Sequence, residues 1–151
     1  GAMTNDHVNQ SMFTTNKPKY ITLHIGYNDV NGFNGMSPNN DPIAEAPQRF
    51  NDLISAIQAK SPNSIIIVVA LLPIYANSVG HGNVTKVQTF NSQIAQMMQT
   101  RIAAGQKIYY LDFFSKFDPS DYSDGLHLTV NGYNKLADEL YSALIPIIAN
   151  N

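Results

Sequence analysis

Between Ser64 and Leu72 the chain is almost unbroken isoleucine, valine, alanine and leucine, and Pro73 ends the run. A strand with no polar alternation has to be covered on both faces. Such strands lie inside parallel sheets, where right-handed helical crossovers supply the cover. The flanking sequence offers those helices. From Pro42 to Lys60 the apolar positions Ile43, Ala46, Phe50, Leu53, Ile54 and Ile57 recur at helical spacing, with Asp41 as N-cap and Pro42 at the first helical position. A second helix runs from Asn83 or Val84 to Ala104, carries Val87, Phe90, Ile94, Met97, Met98 and Ile102 as its stripe, and stops at Gly105.

Two more strands fit the same plan. Tyr20 to Ile25 is β-branched and aromatic and ends at Gly26; Lys107 to Phe113 is the third strand. The last helix spans Thr129 to about Ile148, with Tyr133, Leu136, Ala137, Leu140, Tyr141, Leu144 and Ile148 expected to line its buried face. Strand and helix therefore alternate three times, which predicts an α/β fold on a parallel sheet. Ligands of such sheets collect beyond the carboxyl ends of the strands. Long loops, Tyr27 to about Asp41 and Ile74 to Gly82, start at that rim. Upstream, residues 4–17 are polar apart from Val8, Met12 and Phe13, and offer at most a short helix before Pro18. Gly1-Ala2-Met3 reads as a tag-cleavage remnant, which leaves residues 4–151 as a single domain.

Composition narrows the function. Charged residues make up 13% of the chain and the net charge is −2, so there is no electrostatic case for nucleic acid or an anionic membrane surface. With no cysteine, disulfides, thiolate metal sites and cysteine nucleophiles are excluded. No apolar run is long enough to span a membrane. Low charge with abundant Asn, Ser and Thr fits a secreted, extracellular protein.

Two polar stretches on the predicted rim carry chemistry. In Ser123-Asp124-Gly125-Leu126-His127-Leu128-Thr129 an aspartate stands three residues before a histidine at the mouth of a helix. That spacing sets a carboxylate beside an imidazole, the arrangement that orients a general base. In Gly26-Tyr27-Asn28-Asp29, Gly26 permits a sharp turn, the Asn28 amide can donate to a developing oxyanion, and Asp29 can brace the loop through its backbone N–H groups. His24, inside an apolar run, reads as a satisfied core or rim histidine, and His81 as solvated. A metal site built on His24, His81, His127 and nearby carboxylates is the weaker alternative, since no two of these histidines share one helix face. No cofactor or metal is expected.

The stretches Ile21 to Asp29 and Ser123 to Tyr133 resemble the third and fifth conserved blocks of the SGNH (GDSL) hydrolases. Thr89-Phe90-Asn91 and the turn Ala104-Gly105-Gln106-Lys107 resemble the branch that includes the family 3 carbohydrate esterases, which are acetylxylan esterases. The resemblance implies a three-layer, flavodoxin-like parallel sheet, here reduced to its last three strands with flanking helices. It also implies an ester hydrolase acting on acetylated carbohydrate or small acyl esters. His127 becomes the general base, Asp124 its orienting acid, Asn28 an oxyanion-hole donor, and Gly26 and Asp29 parts of the oxyanion loop.

One part of the pattern is missing. The nucleophilic serine of these hydrolases sits in a Gly-Asp-Ser block upstream of the Asn-Asp block, and this sequence contains none. Ser11 has no strand before it and no glycine beside it. A base and an oxyanion donor without a nucleophile form no acyl-enzyme, so the isolated chain is expected to be inactive. Strand 20–25 is expected to leave an open edge, filled by a second copy in a homodimer or by a complementing N-terminal segment. The rival reading is a non-catalytic oligomeric or carbohydrate-binding module that retains the fold.

Overall fold

A computed structural model describes residues 17–30, 42–76 and 83–151. Strands β1 (Tyr20–Leu23), β2 (Ile65–Val69) and β3 (Ile108–Leu111) form a parallel sheet in the order β1-β2-β3. Tyr20 stands opposite Ile65 in one pairing and Ile66 opposite Ile108 in the other. All five residues of β2 are buried, as its composition requires. Ile66 and Val68 point into a cluster with Phe50, Leu53, Ile54, Phe90 and Met98, which come from helices α2 (Pro42–Lys60) and α3 (Val84–Ala103). Ile65 and Ile67 meet Leu144 and Ile147, and Val69 meets Leu136 and Leu140, all from helix α4 (Val130–Ala149). Each such side chain stabilises the fold by about 1.5–3 kcal/mol through burial. The layers are therefore α2 and α3, sheet, α4.

The caps are local. Asn83 accepts the Lys86 N–H at 2.9 Å to start α3, and Thr129 accepts the Gly132 N–H at 3.1 Å to start α4. Arg101, near the end of α3, donates to Asn51 and Gln58 of α2 at 2.8 and 3.1 Å and so ties the two helices together.

Several expectations need correction. The strands are shorter than the apolar runs. Beyond Ala70, whose N–H still donates to the Leu111 carbonyl at 2.8 Å, the chain leaving β2 turns from strand partners to side chains: the Leu71 N–H donates to Asn91 Oδ1 at 3.0 Å, Asn91 Nδ2 donates to the Leu71 carbonyl at 2.8 Å, and the Leu72 N–H donates to Tyr27 Oη at 2.8 Å. The loop from Tyr27 opens with a helical turn, α1 (Tyr27–Val30), closed by Val30 N–H onto the Gly26 carbonyl at 3.0 Å. On α4 the arc against the sheet is Leu136, Leu140 and Leu144, half-buried, with Ile147 buried, whereas Tyr133, Ala137, Tyr141 and Ile148 are exposed. Ile102 on α3 is exposed as well. The N-cap Asp41, the side chain of Ile43, the N-terminal segment with Ser11, and His81 lie outside the described residues.

Candidate active site

The loop from Ser123 to Thr129 is pinned before it reaches any ligand. The Ser123 N–H and hydroxyl both donate to the His127 carbonyl, at 2.8 and 3.0 Å. Tyr122 and Leu128 pair as an antiparallel bridge. The Gly125 carbonyl accepts the N–H groups of Tyr75 and Ala76 at 2.7 and 3.1 Å, docking the loop onto the segment that leaves β2. Gly125 has φ +82°, and a Cβ there would lie 2.6 Å from the Ala76 nitrogen, so glycine is the residue this contact admits.

Inside that loop one oxygen of Asp124 accepts the N–H groups of Leu126 and His127, at 2.9 and 2.7 Å. The other meets His127 Nδ1 at 2.6 Å. Bonds from the His127 backbone, the His127 ring and the Leu126 backbone, in that order, hold the Asp124 carboxyl far below the usual carboxylate range. An ionised carboxylate has no proton to give, so Nδ1 carries the hydrogen and Nε2 is left as the acceptor. Both side chains stand more than half exposed at the rim.

Gly26, with φ +123°, turns the chain over Phe90, whose ring would lie 3.0 Å from a Cβ placed there. The turn delivers α1. Asn28 reaches the same crevice as His127, a cleft of about 330 Å³. His24, Tyr27, Tyr122 and Tyr133 line it too, and Leu72, Leu126, Leu128 and Leu136 supply its apolar wall. Gly26 and Asp29 are not on the wall. Asp29 is fully buried, and its carboxylate accepts from Arg49 Nε at 2.9 Å, with Glu45 3.6 Å from the same guanidinium. The brace behind the loop is thus a buried ion pair to α2 that the sequence reading does not contain; an arginine within a helix reads as solvated until the fold brings Asp29 against it.

His24 also differs from expectation. It lies just past β1 with its ring edge-on to Tyr27 at 5.6 Å, and its Nε2 is buried with no hydrogen-bond partner among the described residues. Burial holds its pKa below the ordinary value. Among the described residues no three His, Asp or Glu side chains gather as metal ligands, and no helix is long and apolar enough to cross a membrane.

A parallel α/β sheet thus brings an Asp–His pair and a side-chain amide to one crevice beyond its strand ends. The chain belongs to the GDSL-like lipase/acylhydrolase family, whose model matches residues 1–135. No curated protein matches it. Among solved structures it is similar to a family 3 carbohydrate esterase from Clostridium thermocellum, at 22% identity and TM-score 0.74, covering 99% of this chain and 68% of that one. A family 3 carbohydrate esterase from Talaromyces cellulolyticus matches at 17% identity and TM-score 0.76, covering 99% and 70%. A GDSL-like lipase from Bacteroides thetaiotaomicron matches at 16% and 0.68, covering 94% and 70%. At these identities the likeness is one of fold.

Proposed function

We propose that this chain carries the base and oxyanion side of an ester-hydrolase centre that acts on acetylated carbohydrate or similar small acyl esters. His127 Nε2 takes the proton of the attacking hydroxyl, Asp124 holds the ring and stabilises the imidazolium, and the Asn28 amide donates to the carbonyl oxygen as it becomes an oxyanion. Gly26 and the Asp29–Arg49 pair set the loop that presents Asn28. The observation that carries this reading is the bond from Asp124 to His127 Nδ1, with His127 and Asn28 on the wall of one crevice.

The nucleophile is the missing part. No serine lines the crevice among the described residues, and the sequence holds no Gly-Asp-Ser. The isolated chain therefore leaves esters intact, and a segment bearing a strand and Gly-Asp-Ser completes it. Among the described residues β1 pairs on one side only, which gives such a segment, or a second copy, an edge to join. The exposed Val130, Tyr141, Ile145 and Ile148 on α4 add apolar surface that favours association.

The test is p-nitrophenyl acetate hydrolysis by the chain against His127→Ala. Equal rates are expected, with His127-dependent turnover appearing once the serine segment is supplied. His127-dependent turnover by the chain alone would place the nucleophile within it. The lack of a Gly-Asp-Ser in the sequence also favours a second reading, a non-catalytic carbohydrate-binding module on the same fold; retained sugar binding with no turnover after addition of the serine segment would decide for it.

A further inference from the structure

Among the described residues every half-buried tyrosine hydroxyl has a partner, whereas two buried polar atoms that have none, one hydroxyl and one imidazole nitrogen, belong to residues of a single crevice. Tyr20 Oη donates to the Ile148 carbonyl, Tyr75 Oη to that of Phe117, and Tyr110 Oη to that of Asn91. Tyr27 Oη takes the Leu72 N–H, and Tyr109 Oη takes Asn151 Nδ2. Tyr122 is more buried than any of these, at 8% exposure, yet its hydroxyl has no partner among the described residues; neither has His24 Nε2. Both residues line the cleft that holds Asn28 and His127. Leaving such an atom buried and unpaired is costly, and phenylalanine at either position would avoid that cost.

We propose that Tyr122 Oη and His24 Nε2 form a hydroxyl-recognition subsite beside the Asn28–His127 pair, where they select the alcohol part of the ester. The inference rests on the ester-hydrolase reading above and deepens it. Three features of the wall point to a neutral polyol rather than an ion. Among the described residues no lysine, arginine or carboxylate lines the cleft to neutralise a charged ligand. A hydroxyl both donates and accepts, and so matches a tyrosine O–H and either tautomer of a neutral imidazole. Tyr27, Tyr133 and the leucines supply the flat apolar surface that the C–H face of a sugar ring covers.

The experiment uses the chain itself and its Tyr122→Phe, His24→Phe and Asn28→Ala variants. Two ligands, acetylated xylotriose and cyclohexyl acetate, carry the same acyl group on a hydroxylated and a bare alcohol. Affinities come from NMR titration, with thermal unfolding of each variant alongside. Tyr122→Phe and His24→Phe should each weaken acetylated xylotriose about five- to tenfold, the worth of one neutral hydrogen bond, and leave cyclohexyl acetate unchanged. Tyr122→Phe should melt no lower than the parent. Asn28→Ala should weaken both ligands alike. The subsite is overturned if the phenylalanine variants bind acetylated xylotriose as the parent does, lose both ligands equally, or bind it less tightly only because Tyr122→Phe unfolds earlier. If the sugar binds and shifts Asn28 and His127 while the phenylalanine variants are unchanged, the subsite falls and the hydrolase reading stands. If neither ligand shifts Asn28 or His127, both fall.

Discussion

The Asp124 carboxylate grips His127 twice, through its backbone N–H at 2.7 Å and through ring Nδ1 at 2.6 Å, using a different oxygen for each. The same group therefore fixes where the residue sits and which way its ring faces. Because these bonds hold the Asp124 carboxyl far below its ordinary 3.8, its contribution is complete above that value and is lost only as pH falls through the much lower folded one. The Asp124 carboxyl ¹³C shift should thus remain that of a carboxylate at pH 4. In Asp124→Ala, amide exchange at Leu126 and His127 should accelerate by about an order of magnitude, and His127 ¹⁵N shifts should lose their single-tautomer signature. A carboxyl that titrates near 3.8 would contradict the geometry.

Behind the other half of the crevice, Arg49 and Asp29 are a buried pair at 2.9 Å. Removing one partner strands a charge away from water. Arg49→Leu should cost about 3–5 kcal/mol in urea unfolding, and Asp29→Leu a similar amount. The double replacement should cost clearly less than the sum, since neither charge is then left alone. Additive losses would mean that the pair is not coupled. In Arg49→Leu the Asn28 side-chain amide should also broaden or split in NMR spectra, because α1 loses the contact that orients it.

The sheet was legible because β2 has no polar residue to hide, and Asp124 and His127 because three residues separate them on one loop. Asn28 could be set opposite them only through the rule that parallel strands end on one rim. What escaped depends on contacts between distant segments. Arg49 meets Asp29 across 20 residues, and Asn91 reaches Leu71 across 20 more, so neither shows in local spacing. The face of α4 is legible only in its leucines, for another reason. Leucines and tyrosines occupy neighbouring arcs of that helix, both apolar, and periodicity alone does not say which arc the sheet covers; the sheet took Leu136, Leu140 and Ile147 and left Tyr141 outside. His24 reads as a satisfied histidine in the sequence because an apolar run gives no sign of an unfilled bond.

Gly125 and Gly105 offer a controlled comparison. Their φ values are +82° and +81°, so the conformational penalty for alanine is the same, about 1 kcal/mol. Their surroundings differ. Nothing lies within 4 Å of a Cβ at Gly105, while one at Gly125 meets backbone atoms of Tyr75 and Ala76 at 2.6–2.8 Å. Gly105→Ala should therefore lose only that 1 kcal/mol, and Gly125→Ala about 2–4 kcal/mol. The second should also expose the Tyr75 and Ala76 amides to hydrogen exchange. Equal losses at the two sites would show that the docking of the Asp124–His127 loop on the β2 exit is not formed.

His24 gives the fold a pH dependence whose sign follows from its burial. Desolvation disfavours the imidazolium, so the folded pKa lies below the unfolded 6.5. Above 6.5 the ring is neutral in both states and the fold keeps its full stability. As pH falls below 6.5 the unfolded chain binds a proton that the folded chain refuses, and stability drops by up to about 1.4 kcal/mol per pH unit until the folded value is reached. The other histidines, His7, His81 and His127, are common to the parent and to His24→Phe, so they cancel in the difference between the two. Urea unfolding of both proteins from pH 8 to 5 should give parallel curves above about 7 and a parent that weakens relative to the variant below 6.5. A difference that stays flat to pH 5, or a parent that gains stability in acid, would mean that the ring is solvated or paired and that its Nε2 is not waiting for a ligand.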